Sequence, residues 1–175
     1  MSSVSALVQS ITLNGSPLGT LGTSISVSAD STRFVVGAQS AMYIYTRPSA
    51  TSTSYSMVAS VPNSYASASG DVLVAISPDG STVAAKFEDA TQYIVKIYAL
   101  NVDANGVATL TLQASYSGNQ GVGESFAFSS DGNLLAVGSP QETVSSSVSS
   151  GAVFIYSRTG GTWSLTNTIN NPGAG

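Results

Sequence analysis

The sequence predicts an all-β fold built from repeated four-stranded antiparallel sheets, and three observations carry that prediction. The same phrase comes round three times: an apolar alternating strand, a turn built on aspartate, a second strand, then an aromatic-rich third strand. The copies read ISVSAD-STRFVVGA…MYIYTR (25–47), VAISPDG-STVAAK…VKIYAL (74–100) and FAFSSDG-NLLAVGS…VFIYSR (126–158). Their turn aspartates, Asp30, Asp79 and Asp131, recur about every fifty residues. Second, no window shows the 3.6-residue period of an amphipathic helix. Third, the chain is rich in valine, isoleucine, threonine and tyrosine, which suit a pleated, half-buried surface. A repeat of this length carrying about four strands is the pattern of a β-propeller blade.

The elements follow in chain order. Residues 4–14 (VSALVQSITLN) form an apolar strand that Asn14-Gly15-Ser16-Pro17 ends. Blade 1 spans 24–61: an alternating strand through Ile25 and Val27, the Asp30-Ser31-Thr32 turn, the Phe34-Val35-Val36 run, Ala41 to Tyr45, and an outer strand from Tyr55 to Val61. Blade 2 spans 71–116. Its Ser77-Pro78-Asp79-Gly80 reads as a type I turn, with proline and glycine at their favoured positions. Blade 3 spans 125–169, with the Ser129-Ser130-Asp131-Gly132 turn and an outer strand from Trp163 to Ile169 after Gly160-Gly161. The link between the second and third strands lengthens from blade to blade, ending in the serine-rich QETVSSSVSS. Variable loops on one face of a repeat array are where binding surfaces concentrate.

Segment 4–14 then counts as the outer strand of a preceding blade. Propellers close with about four to eight blades. Three blades leave an arc with two open ends, and bare faces of that size invite association. Either the chain is a segment of a longer propeller, or copies assemble, two copies giving six blades.

Composition narrows function. The chain is 42% hydrophobic and 8% charged, the reverse of a disordered composition. Net charge is −4, and Arg33, Arg47, Lys86, Lys96 and Arg158 are scattered. No basic run tracks a phosphate backbone, so nucleic acid is not an expected partner. No stretch approaches the ~18 apolar residues of a membrane helix, and MSSVSALVQS lacks the basic and apolar regions of a signal peptide. Cysteine and histidine are absent. Disulfides and thiol chemistry fall away, and so do the commonest general base and metal ligand.

Candidate chemistry is sparse. Glu88-Asp89 beside Lys86 are neighbours on one strand or loop, so their carboxylates point apart and read as solvated. No G-x-S-x-G elbow accompanies the many serines. Glycines 15, 19 and 22, and 118, 121 and 123, open no helix and read as turn glycines, not phosphate cradles. Asn14-Gly15-Ser16 is formally a glycosylation sequon. The turn aspartates read as caps that bind their own backbone N–H groups. The aromatics Tyr43, Tyr45, Tyr93, Tyr98, Phe154 and Tyr156 recur on third strands. Tyr43 and Tyr45 share a face, and Phe154 and Tyr156 share one in their own blade, expected in the opposite sense. Blade-to-blade packing is the first reading of these rings, with Trp163 packing on the outer strand; a sugar- or peptide-stacking surface is the second.

SVSADSTRFVVGA (26–38) with YIYTR (43–47), and LLAVGSP (134–140) with GAVFIYSRTGGTWSLTNTI (151–169), resemble the FG-GAP repeat of integrin-like propellers. The resemblance runs from about 7 to 175. Repeat two, VAISPDGSTVAA (74–85), equally resembles a WD-type or TolB-type blade. The FG-GAP resemblance implies a module for protein or glycan contact, outside cells or on a surface. Many members bind calcium through a D-x-D/N-x-D-G-x-x-D loop. Here each turn keeps one aspartate, too few carboxylates for a tight calcium site.

The expected function is therefore a non-enzymatic structural or interaction module that contacts proteins in an assembly, on a virion or cell surface, its partners including copies of itself. A carbohydrate-binding module using loop-face aromatics is the alternative, and a hydrolase in a propeller funnel the third reading. No catalytic residue, cofactor or metal is assigned.

Overall fold

The computed structural model describes residues 21–63, 70–88, 92–118, 121–143 and 150–172. The expected strand 4–14, the sequon at Asn14, Gly15, Gly19, Asp89 and most of the serine-rich loop lie outside them. The described residues form twelve strands and no helix, in three four-stranded antiparallel sheets. Blade 1 holds β1 (Leu21–Val27), β2 (Arg33–Ala38), β3 (Ala41–Thr46) and β4 (Ser56–Pro62). Blade 2 holds β5 (Leu73–Ile76), β6 (Thr82–Glu88), β7 (Tyr93–Val102) and β8 (Ala108–Gly118). Blade 3 holds β9 (Ser125–Phe128), β10 (Leu134–Ser139), β11 (Ala152–Thr159) and β12 (Thr162–Asn170). Each sheet runs in chain order from inner to outer strand, so the all-β blade architecture stands. None of the helices that would cross a membrane is present among the described residues.

The three sheets share one register. Val35 pairs with Ile44, Ala84 with Ile97, and Ala136 with Ile155. One step on, Phe34 pairs with Tyr45, Val83 with Tyr98, and Leu135 with Tyr156. Each third strand thus carries an Ile-Tyr pair whose side chains point to opposite faces. In every blade the ladder to the outer strand slips between that isoleucine and that tyrosine. Such a bulge sharpens the local twist and re-aims the outer strand.

Opposite faces of each sheet serve different neighbours. Val35, Met42 and Ile44 of blade 1 are buried in one cluster with Val72, Val74, Ile76, Val83 and Tyr98 of blade 2. The other face of blade 2, Ala84, Val95 and Ile97, is buried with Leu135, Val137, Phe154, Tyr156 and Trp163 of blade 3. Each buried aliphatic side chain contributes about 1.5–3 kcal/mol. The sense of Phe154 and Tyr156 corrects the sequence expectation. The common register puts Tyr45, Tyr98 and Tyr156 on equivalent faces, which for Tyr98 and Tyr156 is the face towards the preceding blade. Period-two counting fixes which residues share a face within a strand; it cannot relate the faces of two separate strands.

The seam between blades 1 and 2 is also polar at its inner edge. Ser24 and Ser26 of β1 accept hydrogen bonds from the Val74 and Ile76 N–H groups of β5, each at 3.1 Å. An inner strand otherwise presents unpaired amides on one side, and the serines of the neighbouring blade satisfy two of them. The connector into blade 2 lies tight on blade 1. A Cβ added to Gly37 would stand 1.8 Å from the Val72 carbonyl oxygen.

That approach makes a prediction. Gly37→Ala must push the connector off blade 1, because the obstructing atom is backbone. A loss of about 1–3 kcal/mol is expected from overpacking, read as a lower urea midpoint. The same change at Gly106, where a Cβ meets nothing within 4 Å, reports only the strain of its positive φ and serves as the comparison.

Candidate functional site

The three aspartate turns are one structure made three times. In each, the residue after the aspartate has positive φ: Ser31 at 58°, Gly80 at 70° and Gly132 at 68°. Its N–H donates to the carbonyl three residues back, Ser28, Ser77 or Ser129, each at 2.9 Å. The hydroxyl of that same serine donates to the aspartate carboxylate. It also accepts the N–H that opens the second strand, from Arg33, Thr82 or Leu134. Two residues beyond the aspartate, Thr32, Ser81 or Asn133 donates both backbone and side chain to the same carboxylate. The pattern is Ser-x-Asp-x-Thr/Ser/Asn, and its serine was the part that sequence reasoning passed over. The recurring serine two residues before each aspartate was the available signal.

Those bonds hold the carboxylates ionised. The Ser28 hydroxyl, with the Thr32 donors and Arg33, lowers the Asp30 pKa, and Ser129 and Asn133 lower that of Asp131. At Asp79 partial burial works against the charge. Ser77, Ser81 and Arg158 outweigh it and bring the pKa to about 2. Every turn carboxylate is thus engaged by its own turn, and among the described residues no three acidic groups converge as a metal site would need.

The turns also join blades. Ala29 N–H donates to the Pro78 carbonyl at 2.9 Å, and Arg33 Nη1 to the Gly80 carbonyl at 2.8 Å. From the other side Arg158 reaches back to Ser81 and Thr82 at 3.1 and 3.2 Å, with Asp79 at 3.6 Å. Arg47, at the same strand position in blade 1, instead donates to the Ser31 and Ser52 carbonyls and lies over the Tyr55 ring. An open groove of about 950 Å³ borders these groups and the Asp103 hairpin. Its charges are spoken for: Asp103 accepts the Asn105 and Val107 N–H groups.

Lys86 is the buried charge of the chain's described part, 6% exposed in the seam between blades 2 and 3. Its Nζ meets Glu124 Oε1 at 2.8 Å and lies 4.9 Å from the Tyr93 ring centre. Glu124 sits in the connector into blade 3, so this pair pins connector to blade. Glu88 lies on β6 and does not join it.

Most of the recurring rings are inside, with Tyr43 and Tyr93 half-buried at the edges of their clusters. Tyr45, Tyr98, Phe154, Tyr156 and Trp163 are buried. Tyr45 stacks on Phe34 with ring centres 4.8 Å apart, Tyr116 packs on Phe154 at 4.7 Å, and Trp163 meets Phe128 edge-on at 6.0 Å. Burial raises the pKa of Tyr45, Tyr98 and Tyr156. The buried rings therefore pack between strands and blades, which is the first of the two readings given for them.

Among the described residues the far face of blade 3 is open. Leu134 and Ile169 are 46% and 53% exposed, with Ala136, Val153 and Ile155 half-buried between them. A cleft of about 440 Å³ opens there, lined by Gly138, Val153, Ile169, Asn171 and Pro172 with Glu124 at its rim.

No family model matches the chain, and no curated protein matches it. Solved structures do. Sqt1 from Chaetomium thermophilum is 14% identical, with a TM-score of 0.57 over 83% of this chain and 35% of its own. The Cps50 (Swd1) β-propeller domain of Myceliophteria thermophila is 16% identical, with a TM-score of 0.55 over 88% of this chain and 44% of its own. The Pseudomonas aeruginosa periplasmic gluconolactonase PpgL is 16% identical, with a TM-score of 0.53 over 83% and 38%. The chain therefore has the fold of propeller blades, and it spans less than half the length of the propellers it matches.

Two stability predictions follow from the polar seams. Asp79 is stabilising while ionised, and its pKa is lowered from 3.8 to about 2. That contribution is complete above the unfolded value and is lost as pH falls from about 4 to 2. Asp79→Asn should flatten this part of a melting-temperature-against-pH curve; because the side chain is 48% exposed, solvent screening keeps the cost at neutral pH to about 1 kcal/mol or less. At the second seam, Lys86→Met should change stability by under about 1 kcal/mol, since it removes a buried charge at similar volume. Glu124→Ala should cost about 1–3 kcal/mol, because it strands the lysine. Urea melts of both variants check the asymmetry.

Proposed function

We propose that the chain is a non-catalytic protein-contact module: FG-GAP-type propeller blades that join protein surfaces in an assembly on a virion or cell surface. The observation that carries this reading is the open aliphatic face of blade 3. Leu134, Ala136, Val153, Ile155 and Ile169 place apolar surface in water with a cleft at its edge. Exposed apolar surface of this kind marks contact with protein. Catalysis has little to work with. Among the described residues the carboxylates of the turns cap backbone, and the buried lysine is already paired. The surface is hydroxyl-rich and weakly charged, which suits a subunit packed among neighbours.

A photo-crosslinking residue placed at Ile169 tests the reading in the cells that make the chain. Protein adducts that form at Ile169, and not at a control such as Thr109 on the outer strand of blade 2, are expected. Absence of adducts, together with retained binding on a glycan array, would overturn it in favour of carbohydrate recognition.

A further inference from the structure

We infer that the partner of the open face of blade 3 is the inner strand of blade 1 in a second copy of this chain, docked head to tail. This deepens the protein-contact reading and rests on it.

The chain itself shows what covers such a face, because it covers two of them. In the common register Ile155 stands where Ile44 and Ile97 stand. Val153 stands where Met42 and Val95 stand, opposite Gly138, Gly37 and Lys86 respectively. Met42, Ile44, Val95 and Ile97 are almost wholly buried by the blade that follows. On blade 3 the equivalent positions remain half-exposed. The covering residues are equally defined. On the first seam they are Val72 from the connector, then Val74 and Ile76 of the inner strand, all buried.

Blade 1 carries the matching pair unused. Ile25 pairs with Val36 and Val27 with Phe34, as Val74 pairs with Ala85 and Ile76 with Val83. Ile25 and Val27 are therefore the positional equivalents of Val74 and Ile76. They are 62% and 52% exposed. The outer part of the same face is already closed, since Phe34, Val36 and Tyr45 are buried with Leu21, Tyr43 and Tyr55 against them. The free part is the inner strand, the part that makes the seam in blade 2.

One further feature fits. Gly138 repeats Gly37, the glycine that lets the Val72 carbonyl approach. The three atoms nearest a Cβ at Gly138 all belong to Ser125 of its own blade, so among the described residues no carbonyl approaches it as Val72 approaches Gly37. Arg158 reaches back to Asp79 across the second seam; its positional equivalent Arg47 is held within blade 1 by the Ser31 and Ser52 carbonyls, so the docking rests on the apolar pair and Gly138 and not on charge. One chain thus presents an acceptor face and a donor strand on different surfaces, which makes the contact heterologous. Two copies joined this way supply six blades, within the range in which propellers close.

Sedimentation equilibrium of the full chain, from micromolar to near-millimolar concentration, tests this with two variants. Ile25→Asp disables the donor and Ile169→Asp the acceptor. Both side chains are mostly in water, so each variant should keep the melting temperature of the parent, which is the folding control. The parent should form a two-chain species. Each variant alone should be monomeric at concentrations where the parent is paired. An equimolar mixture of the two should regain a weaker two-chain species through its one intact junction. A parent that stays monomeric throughout overturns the inference. So does loss of pairing with Ile169→Asp but not Ile25→Asp, which would mean blade 3 faces packed on each other. Adducts at Ile169 with other proteins, beside a monomeric parent, would leave the protein-contact reading standing and remove the self-docking one.

Discussion

The whole arrangement depends on one requirement: a four-stranded blade has two apolar faces, and neither is satisfied until another blade lies on it. A sheet that faced water on one side would alternate apolar and polar residues cleanly. The second strand of blade 2 and the third strand of blade 1, each packed in a seam, do not, whereas β10 and β11 of blade 3 alternate in burial because one face lacks a neighbour among the described residues. β6 is buried at six consecutive positions, and in β3 only Tyr43 and Thr46 are not fully buried. Each inner strand, led in by its connector, therefore acts as a wedge between sheets. Val72 and Val122, one in each connector, are both fully buried. The glycines at 37 and 123 let backbone and side chain come close enough to seat them.

The aspartate turns hold the same seams at one end. Each turn is locked internally by a serine that both donates to the carboxylate and receives the strand's first N–H. The blade 2 turn also hands its Gly80 carbonyl to Arg33 of blade 1 and its Ser81 hydroxyl to Arg158 of blade 3. The two arginines point in opposite directions along the arc, so the middle blade is gripped from both sides. The exposed ion pair of Arg158 with Asp79 adds little in water. Its value lies in position, because the guanidinium bonds two turn residues at once. The middle blade thus carries the most constraints, and the two outward faces of the arc carry the fewest.

Much of this was legible in the sequence. The repeat of strand, aspartate turn and aromatic strand located the sheets because turn chemistry and period-two patterning are local. A tight turn at Ser77-Pro78-Asp79-Gly80 followed from proline and glycine alone; the 2.9 Å bond from Gly80 N–H to the Ser77 carbonyl closes it, and Asp79 lacks the positive φ that a type II turn needs. Other features were hidden because they depend on how separate strands are phased. The shared sense of Tyr45, Tyr98 and Tyr156 comes from pairing between strands. Lys86 and Glu124 are thirty-eight positions apart and meet only once blade 3 folds onto blade 2. Ser24 and Ser26 look like the polar side of an alternating strand, yet they serve the backbone of the next blade. The open acceptor face could not be told from a covered one, since Ile155 and Ile44 are the same residue in the same local pattern.

Hydrogen exchange at the amides of Val74 and Ile76 tests the central claim most directly. In an isolated blade both N–H groups would face water along the inner edge of β5. Packed against blade 1, they donate to Ser24 and Ser26 in a seam closed by Val35 and Met42. The account predicts exchange slowed well beyond that of exposed loop amides such as Ala104, and quickened when Ser24 and Ser26 are both replaced by alanine. Exchange at Val74 and Ile76 as fast as at Ala104 in the unaltered chain would contradict it.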